Sequence, residues 1–256
     1  MRYIFFGGQE SAFAQIILDS LTKAGFPPIK TFRDAKAQID LEELKKLGAD
    51  FFLVAAFGKI LKKELFEIPP KGTIVVHPSL LPKYRGASPI QLAILNDEKE
   101  TGTTIFLIDE KVDHGLILAM EKLPITDDNT YETLAKKLAE LSAEILLKTL
   151  PKWLKNEISP QIQNESDATY TKKIATEDAE INLNADNSEK IWLKIRALNP
   201  EPGTYTILNL KNGKQLRLKL LKAELKNGKL ELLEVQPEGK KKMDYRAFLN
   251  GYKNLL

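Results

Sequence analysis

Residues 73–91, TIVVHPSLLPKYRGASPIQ, begin as a buried strand and continue as a loop of histidine, prolines, lysine, arginine and glycine. His77 stands where the strand pattern stops, and two prolines fix the path of the loop that follows. A single histidine is commonly structural. However, residues 109–115, DEKVDHG, also follow a strand pattern, and they supply acids beside His114, the other histidine of the chain. A carboxylate that contacts an imidazole fixes its tautomer and raises its basicity, so the two stretches together predict a site for proton transfer.

The pattern around these stretches predicts a doubly wound α/β fold. Short apolar runs alternate with helical patterns through the first two-thirds of the chain. The predicted strands are residues 3–6, 50–58, 73–76 and 103–108. Such an alternation is typical of a mostly parallel sheet covered on both faces, which binds ligands at the carboxyl ends of its strands. Gly7 and Gly8 lack the spacing of a dinucleotide-binding loop, so a nicotinamide or flavin site is not expected.

The last third of the chain predicts a small antiparallel β-domain. The sequence KNGK occurs at residues 211–214 and 226–229, between apolar alternations, and Asn-Gly in that setting is a strong hairpin signal. A long amphipathic helix at residues 130–156 is expected to end the first domain, and the polar segment after it is expected to be a linker or an ordered crossover. The predicted regions are a catalytic domain at 1–156, a linker at 157–180 and a basic β-barrel-like domain at 181–256.

Composition limits the kinds of function. The chain has 256 residues, of which 43% are hydrophobic, so it can bury one large core or two unequal ones. Cysteine is absent and only two histidines are present, so neither disulfides nor a metal site is expected. The apolar run at the start is too short for a signal peptide or a membrane span. We therefore expect a cytoplasmic protein without a membrane partner, and a monomer.

Charge is distributed unevenly along the chain. Residues 204–256 carry twelve lysines and arginines against five acids, a net charge of +7, and the whole chain has a formal charge of +3, which leaves −4 for the remainder. A basic module beside a slightly acidic one predicts a polyanionic partner that the tail binds. A solvated lysine-rich surface without a partner is the alternative that charge alone leaves open.

The two polar stretches and the tail resemble one family. HPSLLPKYRGASPIQ resembles the signature loop of the formyltransferases that use 10-formyltetrahydrofolate, and DEKVDHG resembles their aspartate loop. YTKKI, EDAEI, KIRALNPEPGTYT and VQPEGKKKM resemble the linker and carboxyl-terminal domain of the methionyl-tRNA formyltransferase family. The resemblance runs from FFGGQESA through VAAFGKIL to the end of the chain. It implies transfer of the formyl group of 10-formyltetrahydrofolate to the amino group of initiator methionyl-tRNA, through a tetrahedral intermediate and without a metal.

The resemblance also implies roles for particular residues. His77 stabilises the tetrahedral intermediate and helps to move its proton. Asp113 orients the catalytic groups and adjusts the basicity of the histidine. By the same carry-over, the folate and substrate pocket is formed by Phe57, Gly58, Ser79, Leu80, Leu81, Pro82, Arg85, Gly86 and Asp109. For Leu80 and Leu81, simple packing is the alternative. The implied tRNA contacts are Arg33, Lys172, Lys173, Lys240, Lys241 and Lys242.

Two features depart from the pattern of the family. The family has a catalytic asparagine two residues before the histidine, and this chain has Val75 there, which cannot donate a hydrogen bond to a developing oxyanion. Protonated His77 alone, Thr104 or a water molecule could take the place of the missing amide. The basic loop that the family places after the second strand, near the acceptor end of the tRNA, is also missing. The basic residues that remain there are Lys30, Arg33 and Lys36.

Three hypotheses therefore stay open from the sequence. The first is an active methionyl-tRNA formyltransferase with a compensated site. The second is a formyltransferase of the same fold that acts on an amino-sugar nucleotide, against which the basic tail argues. The third is a non-catalytic tRNA-binding relative, which Val75 favours and the retained His77 and Asp113 oppose. An assay of formyl transfer to the two kinds of acceptor discriminates between them.

Overall fold

The computed structural model describes residues 1–253, and their contacts divide the chain into two units. The first unit comprises Met1–Pro89, Lys99–Ile125 and Thr133–Thr171. The second comprises Ile90–Glu98, Thr126–Glu132 and the chain from Lys172 onward. The last division falls within the predicted linker, after Thr171, whereas residues 90–98 and 126–132 of the second unit lie within the predicted catalytic domain. The boundaries drawn from the sequence at residues 156 and 180 stay a prediction.

The first unit is built on a six-stranded mixed sheet. Its strands, with two short ones outside that sheet, are β1 (Tyr3–Gly7), β2 (Lys30–Phe32), β3 (Phe51–Ala55), β4 (Thr73–His77), β5 (Arg85–Gly86), β6 (Glu100–Leu107), β7 (Ile117–Pro124) and β8 (Tyr170–Thr171). The sheet has the order β2-β1-β3-β4-β6-β7, and β5 pairs with β8 in a separate parallel ladder. Strands β1 to β4 pair in parallel, whereas β6 is antiparallel to both β4 and β7. The predicted doubly wound, mostly parallel sheet is confirmed.

Local sequence signals set the ends of the helices. In chain order the helices are α1 (Ala12–Lys23), α2 (Leu41–Leu47), α3 (Lys63–Phe66), α4 (Pro89–Leu95), α5 (Tyr131–Leu154), α6 (Ser188–Leu198) and α7 (Tyr245–Tyr252). The side chains of Ser11 and Asp40 accept hydrogen bonds from the first turns of α1 and α2, and Gly48 ends α2 in the left-handed conformation. No helix within residues 1–253 is long and apolar enough to cross a bilayer.

The core of the first unit is formed by strands that are buried on both faces. Every residue of β1 and of β3 is buried, as the continuous apolar runs in the sequence predict. The ring of Phe6 stacks on Phe32 with 5.0 Å between centroids and meets Phe57 edge-on at 5.5 Å. This packing fixes the position of β4, which pairs with β3 and carries His77 at its carboxyl end.

The second unit contains a four-stranded antiparallel sheet. Its strands are β9 (Tyr205–Asn209), β10 (Gln215–Lys226), β11 (Lys229–Pro237) and β12 (Met243–Asp244), in the order β12-β11-β10-β9. Both KNGK sequences form the predicted hairpin turns, and Asn227 and Gly228 have φ of 50° and 74°, as a two-residue turn of this kind requires. Helices α6 and α7 supply Ile191, Ile195 and Phe248 to the core of this unit.

The polar segment after α5 follows a defined path against the rest of the first unit. Gln161 pairs with Ile117, a short 3-10 helix covers Glu165–Asp167, and β8 pairs with β5. Gly86 has φ of 112°, and a Cβ at this position would lie 2.4 Å from the carbonyl oxygen of Thr171. A glycine is therefore required where the segment crosses β5. This segment is thus a crossover held against the loop that follows His77.

Candidate active site

His77 is buried at the carboxyl end of β4, and each of its ring nitrogens faces an acceptor. Nε2 lies 2.9 Å from the carbonyl oxygen of Tyr84, and Nδ1 lies 3.5 Å from Oδ2 of Asp113. A neutral imidazole has one N–H and can donate to one of these acceptors, whereas an imidazolium can donate to both. The separation from Asp113 exceeds a normal hydrogen bond by a few tenths of an ångström, a distance that a bound substrate can close. The structure therefore brings together the two residues that the sequence predicts as an acid–base pair.

Asp113 lies in the loop between β6 and β7 with a strained backbone. Its φ is 46°, a conformation that aspartate tolerates better than most residues but that still costs about 1 kcal/mol. Its Oδ2 accepts a hydrogen bond of 2.7 Å from the backbone N–H of Gly86. Two residues later, a Cβ on Gly115 would lie 1.7 Å from the carbonyl oxygen of Leu107, so only glycine allows the loop to fold back there. The carboxylate is consequently held between the ring of His77 and the loop of Gly86.

The loop after His77 is fixed from within. The hydroxyl of Ser79 donates to the carbonyl oxygen of Lys83 at 2.7 Å. The hydroxyl of Thr104 donates to the carbonyl oxygen of Ser79 at 2.7 Å and accepts from the backbone N–H of Leu81 at 3.1 Å. The hydroxyl hydrogen of Thr104 is therefore already used, which argues against the alternative that Thr104 replaces the missing amide. Leu81 is buried against Phe106, which agrees with the packing alternative for this leucine.

Arg85 is fully buried and uses all five of its N–H donors inside the protein. Its guanidinium donates two bonds to Glu165, at 2.6 and 3.2 Å, two to Gln163, at 2.8 and 3.1 Å, and one to the hydroxyl of Tyr170, at 3.0 Å. Burial lowers the pKa of Arg85, but the hydrogen bonds to Glu165 and Tyr170 outweigh this effect and raise it. The side chain thus binds the crossover segment, which leaves no donor for the predicted contact with the folate.

Val75 occupies the position of the missing asparagine and has apolar neighbours. It is half-buried and pairs in register with Val54 on β3 and with Phe106 on β6. Because side chains alternate along a strand, Val75 and His77 project from the same face of the sheet. Neither paired neighbour carries a polar side chain that could donate a hydrogen bond in place of the amide.

The segment after β3, which contains Phe57 and Gly58, and the aspartate loop lie beside each other. Nζ of Lys63, in α3, lies 2.5 Å from Oε1 of Glu110 in the aspartate loop. Each loop also carries an exposed apolar side chain, Ile60 at 85% and Val112 at 51% of full exposure. In contrast, the ring of Phe57 is buried in the core, so this residue can face a ligand only through its backbone.

A cavity of about 580 Å³ lies at the opposite end of β4 from His77. Phe66, Thr73, Leu107 and Asp109 are among the residues that line it. Thr73 is four residues from His77, or about 13 Å along the strand. Of the residues predicted to contact the folate, only Asp109 lines the cavity, and its Oδ2 lies 2.5 Å from Nδ1 of His114. The cavity does not reach the acid–base pair.

The residues predicted to contact tRNA have different surroundings. Arg33 donates to the carbonyl oxygen of Gln9 and, at 2.9 Å, to Oε1 of Gln15, so its guanidinium is partly used at the turn between β1 and α1. The other five, Lys172, Lys173, Lys240, Lys241 and Lys242, are exposed and belong to the second unit. Lys242 also forms an ion pair of 3.4 Å with Glu234.

Within residues 1–253, no cluster of three or more histidine and acidic side chains is arranged to hold a metal ion.

Gln163 and Glu165 are the site residues that sequence reasoning missed. They lie in a polar stretch without periodicity, about 80 residues from the loop that they contact. The only signal in the sequence was the possibility that this stretch is an ordered crossover. Their partners are set by tertiary folding, which a local pattern does not encode.

Comparison with known proteins gives consistent matches along the chain. Residues 6–150 match the family described as formyl transferase, and residues 173–230 match the formyl transferase C-terminal domain. Methionyl-tRNA formyltransferase of Dictyoglomus thermophilum is 43% identical over 232 residues, which cover 82% of this chain and 74% of the relative. The structure of methionyl-tRNA formyltransferase from Clostridium thermocellum matches with a TM-score of 0.71 and 26% identity, over 93% of this chain and 99% of the other. HypX from Aquifex aeolicus, solved in complex with tetrahydrofolic acid, matches with a TM-score of 0.79 over 98% of this chain and 47% of HypX, and at 18% identity this likeness shows the fold alone.

Proposed function

This chain belongs to the methionyl-tRNA formyltransferase family, and we propose that it transfers the formyl group of 10-formyltetrahydrofolate to the amino group of initiator methionyl-tRNA. The observation that carries the proposal is the approach of His77 to Asp113 at the carboxyl end of β4, where sheets of this kind bind their ligands. The bound folate supplies the formyl group. The protein has to hold the donor, admit the amine and move the proton that the amine loses to the folate nitrogen whose bond to the formyl carbon breaks.

We assign the movement of that proton to His77 and Asp113. In the tautomer with its hydrogen on Nδ1, the ring donates to Oδ2 of Asp113 and can take up a proton at Nε2, and the carboxylate stabilises the imidazolium that results. Nε2 reaches the substrate if its contact with the carbonyl oxygen of Tyr84 gives way to a contact with the substrate atom. Asp113 meanwhile keeps the orientation of the ring through the other nitrogen. Groups that act in this way typically contribute about a hundred- to ten-thousand-fold to a rate.

The residues around the two loops fit a folate donor. Ile60, on the loop after β3, and Val112, on the aspartate loop, are exposed apolar side chains, and we propose that they cover a flat ring. Beside Ile60, the space around Gly58 is open, because no atom lies within 4 Å of a Cβ built there. We therefore propose that these loops bind the ring system, while the backbone of the loop at residues 79–86 lines the path to His77.

The acceptor is assigned to the basic tail. Residues 204–256 carry a net charge of +7, and phosphates of a tRNA are the polyanion that such a surface suits. We propose that five exposed lysines bind the tRNA backbone, and that the protein works as a cytoplasmic monomer. These lysines are Lys172, Lys173, Lys240, Lys241 and Lys242.

The test is a formylation assay with two acceptors. The purified protein is incubated with 10-formyltetrahydrofolate and either charged initiator tRNA or an amino-sugar nucleotide, and products are identified by mass spectrometry. We expect formyl-methionine on the tRNA and no formylated sugar. A folded protein that binds folate and tRNA but forms no product at high enzyme concentration would instead be the non-catalytic relative that Val75 favours. Formylation of the sugar alone would move the proposal to the second class of acceptor.

A further inference from the structure

Gln163 connects the arginine of the signature loop with the aspartate loop. Its side chain is buried at 5% exposure in the crossover segment, although Gln161 and Ile162 before it are exposed. Its Nε2 donates to the carbonyl oxygens of Asp113 and Gly115, at 2.9 and 2.8 Å. Its Oε1 accepts two bonds from Arg85, at 3.1 and 2.8 Å. One amide thus makes four hydrogen bonds, which satisfies both of its donors and both acceptor sites.

The chemistry of the partners fixes the orientation of this amide. Arg85 has only donors and the two carbonyl oxygens only accept, so a flipped amide would turn its hydrogens toward the guanidinium. The same chemistry excludes a glutamate as a substitute, because a carboxylate can accept from Arg85 but cannot donate to the two carbonyl oxygens. The amide of Gln163 therefore has two separable halves: Oε1 binds Arg85, and Nε2 binds the aspartate loop.

The half that binds the aspartate loop acts on a strained part of the backbone. Asp113 has φ of 46°, and a residue in this region keeps its conformation only where the surroundings hold it. Gln163 binds the carbonyl groups on both sides of His114, which are those of Asp113 and Gly115. The carboxylate of Asp113 must stay within reach of His77, from which it is 3.5 Å away. A shift of about 1 Å in such a group can change a rate by about a hundredfold.

We propose that Gln163 is a positioning residue for formyl transfer, which holds Asp113 against His77 through the carbonyl oxygens of Asp113 and Gly115. The inference rests on the proposed function of His77 and Asp113. Gln163 does not touch the substrate in this role, and its effect passes entirely through the geometry of the aspartate loop.

Two substitutions separate this role from simple packing. Gln163→Met keeps the length of the side chain and removes all four hydrogen bonds, whereas Gln163→Glu keeps the acceptor for Arg85 and removes the two donors. We expect both variants to lower kcat at least tenfold and to change KM for either substrate less than threefold. We also expect both to shift the pH at which kcat is half-maximal, because the environment of His77 changes with the position of Asp113. The matched control is Gln161→Met, an exposed glutamine of the same segment, which should behave like the wild type.

A double-mutant cycle covers the case in which the variants lose stability. If Gln163 acts through Asp113, Gln163→Met should lower single-turnover rates less than twofold in an Asp113→Ala background, since there is no carboxylate left to position. An equal fold loss in both backgrounds would overturn the inference and leave a structural role. So would a Gln163→Glu protein with the kcat and pH profile of the wild type. A wild-type protein without formyl transfer would be a failure of the proposed function instead, and it would be visible before any variant is made.

Discussion

Val75 offers the sharpest test of how this active site works, because one substitution restores the amide that the family uses. Val75 projects from the same face of β4 as His77, between Val54 and Phe106 on the neighbouring strands. Neither neighbour would compete for the hydrogens of an asparagine at this position. The amide of a Val75→Asn protein is therefore free to donate toward the formyl oxygen.

The expected size of the effect follows from the energetics of such donors. A donor aimed at a developing oxyanion contributes about a hundred- to a thousand-fold to kcat. We expect at least a part of that gain, tenfold or about 1.4 kcal/mol. Loss of a half-buried valine side chain should cost about 1 kcal/mol of folding stability. Activity and stability should thus change in opposite directions.

The assay is steady-state and single-turnover formylation of charged initiator tRNA, with folate affinity measured separately. The gain should appear in kcat and leave folate affinity within twofold of the wild type, because the new bond forms only in the transition state. Val75→Ala controls for loss of the branched side chain, and Val75→Asp controls for size without a donor; neither should raise kcat. An unchanged or lower kcat for Val75→Asn would refute the reasoning and show that the cleft has been rebuilt around valine.

Three further predictions test the site, the tail and the crossover segment. His77→Ala and Asp113→Ala should each lower kcat about a hundred- to ten-thousand-fold, whereas His114→Ala should lower it less than tenfold. Equal losses for the two histidines in the same assay would contradict the assignment of His77 as the acid–base residue. Neutralising the lysines at residues 240–242 should weaken tRNA binding and flatten its salt dependence without changing folate binding, and an unaltered salt slope in a titration would mean that they do not contact phosphate. The pKa of Glu165 lies below its ordinary value of 4.5, chiefly because Arg85 donates a hydrogen bond to the carboxylate. The carboxylate therefore stabilises the fold above pH 4.5, and this contribution is lost as the pH falls through the lowered pKa. The difference in Tm between the wild type and Glu165→Gln should therefore shrink between pH 6 and pH 3, and a constant difference would argue against the ion pair.

The fold was predictable from the sequence where local signals agree with the tertiary structure. The apolar run of β3 is buried along its whole length, and both Asn-Gly turns join antiparallel strands as expected. The family inferred from the two loops and the tail is confirmed by matches to both parts of the chain. These features were accessible because strand periodicity, turn chemistry and short motifs are encoded by neighbouring residues.

The surroundings of the site were less predictable, since they depend on residues far apart in the chain. Thr104 has the right residue type and lies opposite His77 on the adjacent strand, but its hydroxyl hydrogen is taken by Ser79. Arg85 has the charge expected of a ligand contact, but a polar segment about 80 residues later binds every donor of its guanidinium. A sequence reveals which groups are present, whereas the competition between partners for each hydrogen is decided by the folded chain.

That competition also determines what can carry the negative charge of the transition state in the absence of an asparagine. The backbone N–H groups of the signature loop are largely used inside the protein. Those with a protein acceptor belong to Ser79, Leu81, Lys83, Tyr84, Arg85 and Gly86. The loop therefore uses these amides to hold its own shape and that of Asp113. The charge then falls to the ring of His77 or to a water molecule, and the Val75→Asn substitution would add a donor that shares it.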